Sequence, residues 1–498
     1  MKSLVAVAAL LTIGAAPAPK MDSDTAAWWR TTAELSNDSM EGRDTGSAAY
    51  LRAAKLVAAK FEAAGLKPAG ENGTWFLSVP MHEVRVTSAR LSAAKIPLRF
   101  LHDLTISPNA GTPARVNAPL AYGGYCSAGS LGDVRGRIVI CHGTHKAGLP
   151  GAGDREKAVR AAGAAGILTI ADPGFTVEPP RWPYAYARTV TLADEKPDAD
   201  PFLRMTLNAA SLGKLLAGSG RDAAALIAAG SAGKPLPSFA IPGRLTASFT
   251  IAQRDISSPN VLAMLPGSDP KLADQAIVLG AHLDGYGYGE PVGGDRLYNG
   301  TLDDAAYVAL LIRLAERRHG EAYRRPILFA AWAGEEKGLL GSRWYVAHPT
   351  VPLSQIAGNI NLDQLRPIFP LKLLTVHGLD DSSLGDDARA VANSLGIAVQ
   401  NDPEPERNLL RRTDHWPFMQ AGVPATNFVF GFKAGTKSEQ IYRQWYSTGY
   451  HKPQDDLKQP MDFKAAGDFN RFFYKLVERV ADQPAAPAWK PGSALRPR

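Results

Sequence analysis

Cysteine is almost missing from this 498-residue chain: it has two, Cys126 and Cys141, and no CxxC pair. Their spacing excludes a cysteine-based zinc knuckle and a dithiol redox motif. It leaves either one disulfide, formed in an oxidising compartment, or two buried thiols. Long apolar runs are missing too. Leu4 to Ala16 is apolar apart from Thr12, but it is too short to span a bilayer, which takes about 20 residues. With Lys2 before it and Ala16-Pro17-Ala18 after it, this run reads as a secretory signal peptide over residues 1–18. The mature protein is then exported, periplasmic or extracellular, with no stable membrane insertion. The net charge of +7 is carried by scattered basic residues such as Arg317-Arg318 and Arg411-Arg412, with no basic stripe interleaved with aromatics. No nucleic-acid partner is therefore expected. No GxSxG stands anywhere, which removes the serine-hydrolase elbow. The sequence specifies no oligomeric state.

What is present is a regular alternation of strands and helices. Ser47 to Gly65 has helical apolar spacing, with Ser47 as N-cap, and residues 75–92 alternate like strands. From about 112 to 250 the texture changes: a strand at Arg137–Cys141, an Ala-rich helix from Asp154 and a strand at Gly166–Ile170. A Pro-rich stretch over 171–202 then reads as loop. This block reads as an inserted smaller α/β domain, between an N-terminal part over 22–111 and a main domain over 251–483. A Pro-rich, disordered tail is expected over 484–498. In the main domain, strands are expected at Ala276–Ala281, Ile327–Trp332, Asn359–Leu362, Leu371–His377 and Ala425–Phe430. Helices are expected at Asp303–Arg318, Ser383–Leu395 and Phe463–Ala481, with a short one from Ser342. The fold class is α/β, a doubly wound and mainly parallel sheet, whose ligands bind beyond the carboxyl ends of the strands.

Acidic and histidine clusters stand at those ends. In Gly280-Ala281-His282-Leu283-Asp284, positions two apart share a strand face, so Asp284 could hold the second ring nitrogen of His282. Asp303-Asp304 opens a helix, where a carboxylate serves as an N-cap or as a metal ligand. Glu335-Glu336 follows a buried strand, a costly place for two carboxylates unless a cation compensates them. Asn361-Leu362-Asp363 ends another strand, and Tyr450-His451 precedes Asp455-Asp456. Each cluster alone has an ordinary structural reading. Together they supply His and carboxylate ligands suited to zinc. The charges of Asp303, Glu336 and Asp363 with one hydroxide balance two Zn²⁺ ions.

These residues resemble the co-catalytic zinc aminopeptidases, the family that includes aminopeptidase Y and glutamate carboxypeptidase. The likeness rests on His282-x-Asp284, Gly300-x-x-Asp303-Asp304, Gly334-Glu335-Glu336, Asn361-x-Asp363 and Tyr450-His451-x-x-x-Asp455. Met40 to Ser47 resembles the start of such enzymes, and the insert resembles a protease-associated domain. The resemblance implies that Asp303 bridges two zinc ions, with His282 and Asp363 on one and Glu336 and His451 on the other. It also implies that Glu335 is the general base, Asp284 orients His282, and Tyr450 steadies the oxyanion as a zinc-bridging hydroxide attacks. Asp414-His415 resembles a supporting segment. The implied activity is that of an exported exopeptidase removing N-terminal residues from peptide substrates. Rival readings on this fold are a carboxypeptidase, for which Arg366, Arg411 and Arg412 could hold a terminal carboxylate, a glutaminyl cyclase-like enzyme, and a non-catalytic receptor-like module. Ala306-Tyr307 departs from the family's usual Ser-Gly after the bridging aspartate.

Overall fold

Near-continuous Val, Ile, Leu and Ala runs favour strands covered on both faces, and the sheet of the main domain is built from them. The computed structural model describes residues 21–363 and 366–497; the expected signal peptide lies outside the described residues. In the centre of the sheet, Ala276–His282 runs parallel to Ile327–Trp332 on one side and to Ile356–Leu362 on the other. Ile356–Leu362 pairs in turn with parallel Ala425–Phe430. All of Ala276–His282 and Ile327–Trp332 is buried. One face is covered by the helices Ser23–Ser36, Ala48–Ala63, Ala306–Arg318 and Phe463–Asp482, through Trp28, Phe61, Leu310 and Phe469. The other is covered by Leu340–Ala347 and His415–Gln420, where Tyr345 and Phe418 pack on Trp332.

A long antiparallel ribbon, Phe76–Ala93 with Phe239–Leu265, leaves this sheet and enters a second core. There Arg115–Tyr122, Ile138–His142, Gly166–Ala171 and Leu203–Asn208 run parallel in that order. The second core draws on Val86, Leu91 and Leu98 as well as Leu120, Ile140 and Phe249. It thus starts upstream of the expected boundary at residue 112, because the ribbon strand supplies one of its walls. The disulfide Cys126–Cys141 lies in a separate small cluster of the same region, with Val134, Val139, Val159 and Ile167.

Several local expectations need correction. The helix expected from Asp303 begins at Ala306, and Asp303 and Asp304 have non-helical dihedrals (φ −122° and −141°) instead of capping it. The stretch 171–202 is not all loop: Arg188–Leu192 pairs with the ribbon. The helix Lys437–Thr448 was not expected; its polar face masks the buried Tyr442, Trp445 and Tyr446. The Pro-rich tail is ordered at Trp489, whose indole N–H donates to the Gly422 carbonyl at 2.7 Å while its backbone bridges Ser382. An amphipathic indole with a carbonyl partner is enough to dock a short segment. Among the described residues no helix is long and apolar enough to cross a membrane.

Candidate metal centre

The strand ends converge. His282 closes its strand, Glu335 and Glu336 follow Trp332, Asp363 follows Leu362, and Asp303 sits in the loop between a strand and its crossover helix. His451 arrives from far along the chain, just beyond the helix Lys437–Thr448. Asp303 lies between the two histidines: its Oδ1 is 3.2 Å from His282 Nε2 and its Oδ2 is 3.1 Å from His451 Nε2. His451 Nε2 is also 3.2 Å from Glu336 Oε1. His282, Glu335 and Asp363 can bring one ligand atom each within 4.8 Å of one another, and so can His282, Asp303 and Glu336. All five expected ligands and the expected base are therefore together, and Asp303, Glu335, Glu336 and His451 line a cleft of about 410 Å³ that Tyr450 also lines.

The neighbours explain how these side chains are held. His282 Nδ1 faces the backbone carbonyl of Asp284 at 3.0 Å. The Asp284 carboxylate, expected to hold that nitrogen, lies 3.8 Å away; it accepts instead from the Thr45 hydroxyl and the Glu335 N–H, both at 2.9 Å. Asp284 thus fixes His282 through its main chain and Glu335 through its side chain. His451 Nδ1 lies 2.8 Å from the Tyr286 hydroxyl. Loop 284–286 therefore touches the outer nitrogen of both histidines, turning both Nε2 atoms inward, as metal-binding histidines require. Asp455 accepts from the N–H groups of Leu302 and Asp303 at 2.9 and 3.0 Å, which holds the Asp303 loop.

The N-terminal motif is built into the same site. Arg43 is completely buried and donates, at 2.8 Å each, to the carbonyls of Leu35, Leu283, Asn299 and Gly300. Gly42 beside it has φ +65° and packs so closely that a Cβ would stand 2.2 Å from the Tyr298 carbonyl, which only glycine permits. Tyr307, the departure from the family pattern, points into the core against Phe469 and leaves the cleft untouched.

Electrostatics favour a cation here. Burial raises the Glu335 carboxyl well above its ordinary range, and the charge of Asp363 adds to this; Asp363 itself is raised by burial and by Asp303. Burial would also raise Asp303, but His282 and His451 bring it below its usual value. Among the described residues the buried oxygen Asp363 Oδ1 has no hydrogen-bond partner, and Asp303 Oδ2 and Glu336 Oε1 have only His451 Nε2 beside them. Orphaned inward-facing carboxylate oxygens beside imidazole nitrogens are the donor set that zinc takes, so the residues present fit the metal.

Residues 260–477 match peptidase family M28. The matched region belongs to peptidase family M28. The chain is a metallo-exopeptidase, a hydrolase, as the motifs imply. It is 25% identical over 347 residues to leupeptin-inactivating enzyme 1 of Streptomyces exfoliatus, covering 67% of this chain and 72% of that protein. It is 27% identical over 163 residues to aminopeptidase YwaD of Bacillus subtilis, covering 32% and 33% of the two. The fold matches the solved aminopeptidase from Aneurinibacillus sp. strain AM-1, with a TM-score of 0.62 at 19% identity over 94% of this chain and 96% of that one. It also matches a zinc aminopeptidase from Bacillus subtilis, with a TM-score of 0.63 at 18% identity over 94% and 98%.

Sequence reasoning missed Tyr286, Arg43 and the inserted region's Arg181, which reaches the His451 ring and lies 4.8 Å from the centroid of Tyr450. Gly-Arg in the Met40–Ser47 motif was a signal for Arg43. Nothing local signals Arg181. Arg366, considered for binding a terminal carboxylate, is buried against Tyr442, Trp445 and Tyr446 and does not line the cleft, whereas Arg411 and Arg412 do.

Proposed function

We propose that this M28 protein is an exported aminopeptidase that uses two zinc ions to remove N-terminal residues from peptides. The observation that carries this reading is Asp303 lying between His282 and His451, with Glu336 and Asp363 beside them. His282 and Asp363 would hold one ion, Glu336 and His451 the other, with Asp303 shared. Bound zinc would lower the pKa of water to about 7 and act as a Lewis acid toward the scissile carbonyl. Glu335, fixed through its N–H by Asp284, takes the proton from the attacking water and delivers it to the leaving amine. The Tyr450 hydroxyl hydrogen-bonds the oxygen on which negative charge grows. With two ions balanced by Asp303, Glu336, Asp363 and a hydroxide, the Glu335 carboxylate leaves the floor net negative, which attracts a free amine and favours cleavage at the N-terminus. The apolar run after Lys2 and the disulfide are consistent with export. The 112–250 region is read as a protease-associated domain covering one side of the cleft.

The test is Glu335→Gln. The variant should keep its zinc content and lose turnover of aminoacyl anilides by at least about 10²-fold, the usual worth of a general base. Near-normal turnover refutes the assignment. A zinc count near one per chain refutes the two-ion reading.

A further inference from the structure

The cleft is electrically two-sided. Its floor is acidic, through Asp303, Glu335 and Glu336, and its wall carries three guanidinium groups, Arg181, Arg411 and Arg412. Among the described residues one carboxylate, Glu178, serves that wall: it takes Arg412 at 2.8 and 3.0 Å and Arg181 at 3.3 Å. Arg411 has no ion-pair or hydrogen-bond partner for its guanidinium among the described residues; it is exposed and stacks 5.1 Å from the centroid of Trp416. Arg181 has a further constraint. His451 Nδ1 must donate its hydrogen to Tyr286 when Nε2 offers a lone pair to a metal, and it cannot then accept one from Arg181. In that tautomer the Arg181 Nη1–H groups are available to the cleft, while Nη2 stays with Glu178.

We propose that this wall makes the enzyme selective for peptides that carry a carboxylate within about a residue of the free amine: an acidic first side chain, or the C-terminus of a dipeptide. This rests on the aminopeptidase reading above. The chemistry is a zwitterion laid across a bipolar slot. The ammonium group faces the carboxylate floor and the carboxylate takes N–H donors from Arg411 and Arg181, as guanidinium forks do. A volume of about 410 Å³ suits a small ligand. Hydrogen bonds to charged groups contribute roughly 10- to 100-fold, and exposed Arg411 belongs at the lower end.

The experiment compares kcat/KM of the zinc-loaded protein for glutamyl and glutaminyl anilides, for leucyl-glycine and its C-terminal amide, and for leucyl anilide. About tenfold preference for glutamyl over glutaminyl assigns the wall to a side chain. The same preference for the free over the amidated dipeptide assigns it to the terminal carboxylate. In Arg411→Ala the preferred ratio should fall toward one. In Arg411→Glu it should invert, with lysyl anilide now favoured over glutamyl; misfolding cannot produce an inversion. Turnover of leucyl anilide with no charge preference overturns this proposal alone, as does a preference that persists in both variants. No turnover of any aminoacyl substrate overturns the aminopeptidase reading and this one with it.

Discussion

Replacing Arg43 tests how far the site depends on a residue that touches neither metal nor substrate. Its guanidinium is wholly buried and gives four N–H donors to backbone carbonyls on either side of the site: Leu283 next to His282, Asn299 and Gly300 ahead of Asp303, and Leu35 in the N-terminal helix. Burial lowers its pKa to about 10, and the charges of Asp455, Asp284, Asp304 and Asp303 act against that loss. In Arg43→Met the stem is replaced but four carbonyls lose their donor and four buried acids lose a counter-charge. Each hydrogen bond from a charged donor contributes about 1.5–3 kcal/mol. Because the carbonyls can relax together, the expected total is about 3–5 kcal/mol, the range for breaking a buried charged network from one side. Urea unfolding followed by tryptophan fluorescence should show that loss, with zinc released at lower chelator concentration than in the parent. Arg43→Lys should recover little, since an ammonium cannot span the four acceptors. A change in Arg43→Met within about 0.5 kcal/mol, as for an ordinary surface substitution, together with unaltered zinc retention, would refute the view of Arg43 as the clamp of these loops.

Other outcomes can be checked independently. Tyr286→Phe removes the oxygen facing His451 Nδ1 and should weaken zinc binding by about 10–100-fold in chelator competition; unchanged affinity would show that the ring is held by packing alone. Burial pushes the Glu178 carboxyl up, but Arg412, Arg181 and Arg407 pull it down to about 2. Its contribution to stability is therefore present above the ordinary carboxylate pKa near 4.5 and is lost as pH falls toward 2. The shift bounds that contribution at about 3 kcal/mol. Glu178→Gln should flatten the acid limb of the stability–pH curve between those values; an unchanged limb would assign acid lability to other groups.

Much of this protein is determined locally and is legible along the chain. The buried strands Ala276–His282 and Ile327–Trp332 announce themselves by apolar runs, because a parallel strand covered on both faces has no polar side. The acidic and histidine clusters announce themselves because they interrupt such runs where strands end. His282, Glu335, Glu336 and Asp363 could be named that way. Other features depended on contacts between distant segments, and only the tertiary structure decided them. The backbone carbonyl of Asp284, not its carboxylate, faces His282, since the side chain is drawn to Thr45, 239 residues upstream, and to the N–H of Glu335. Arg43 clamps carbonyls about 250 residues away. Arg181 reaches His451 across 270 residues from a Pro-rich stretch with no periodicity to betray it. Periodicity reports which face of an element is buried; it carries no information on which element will lie against it, and that choice is made only when the whole core packs.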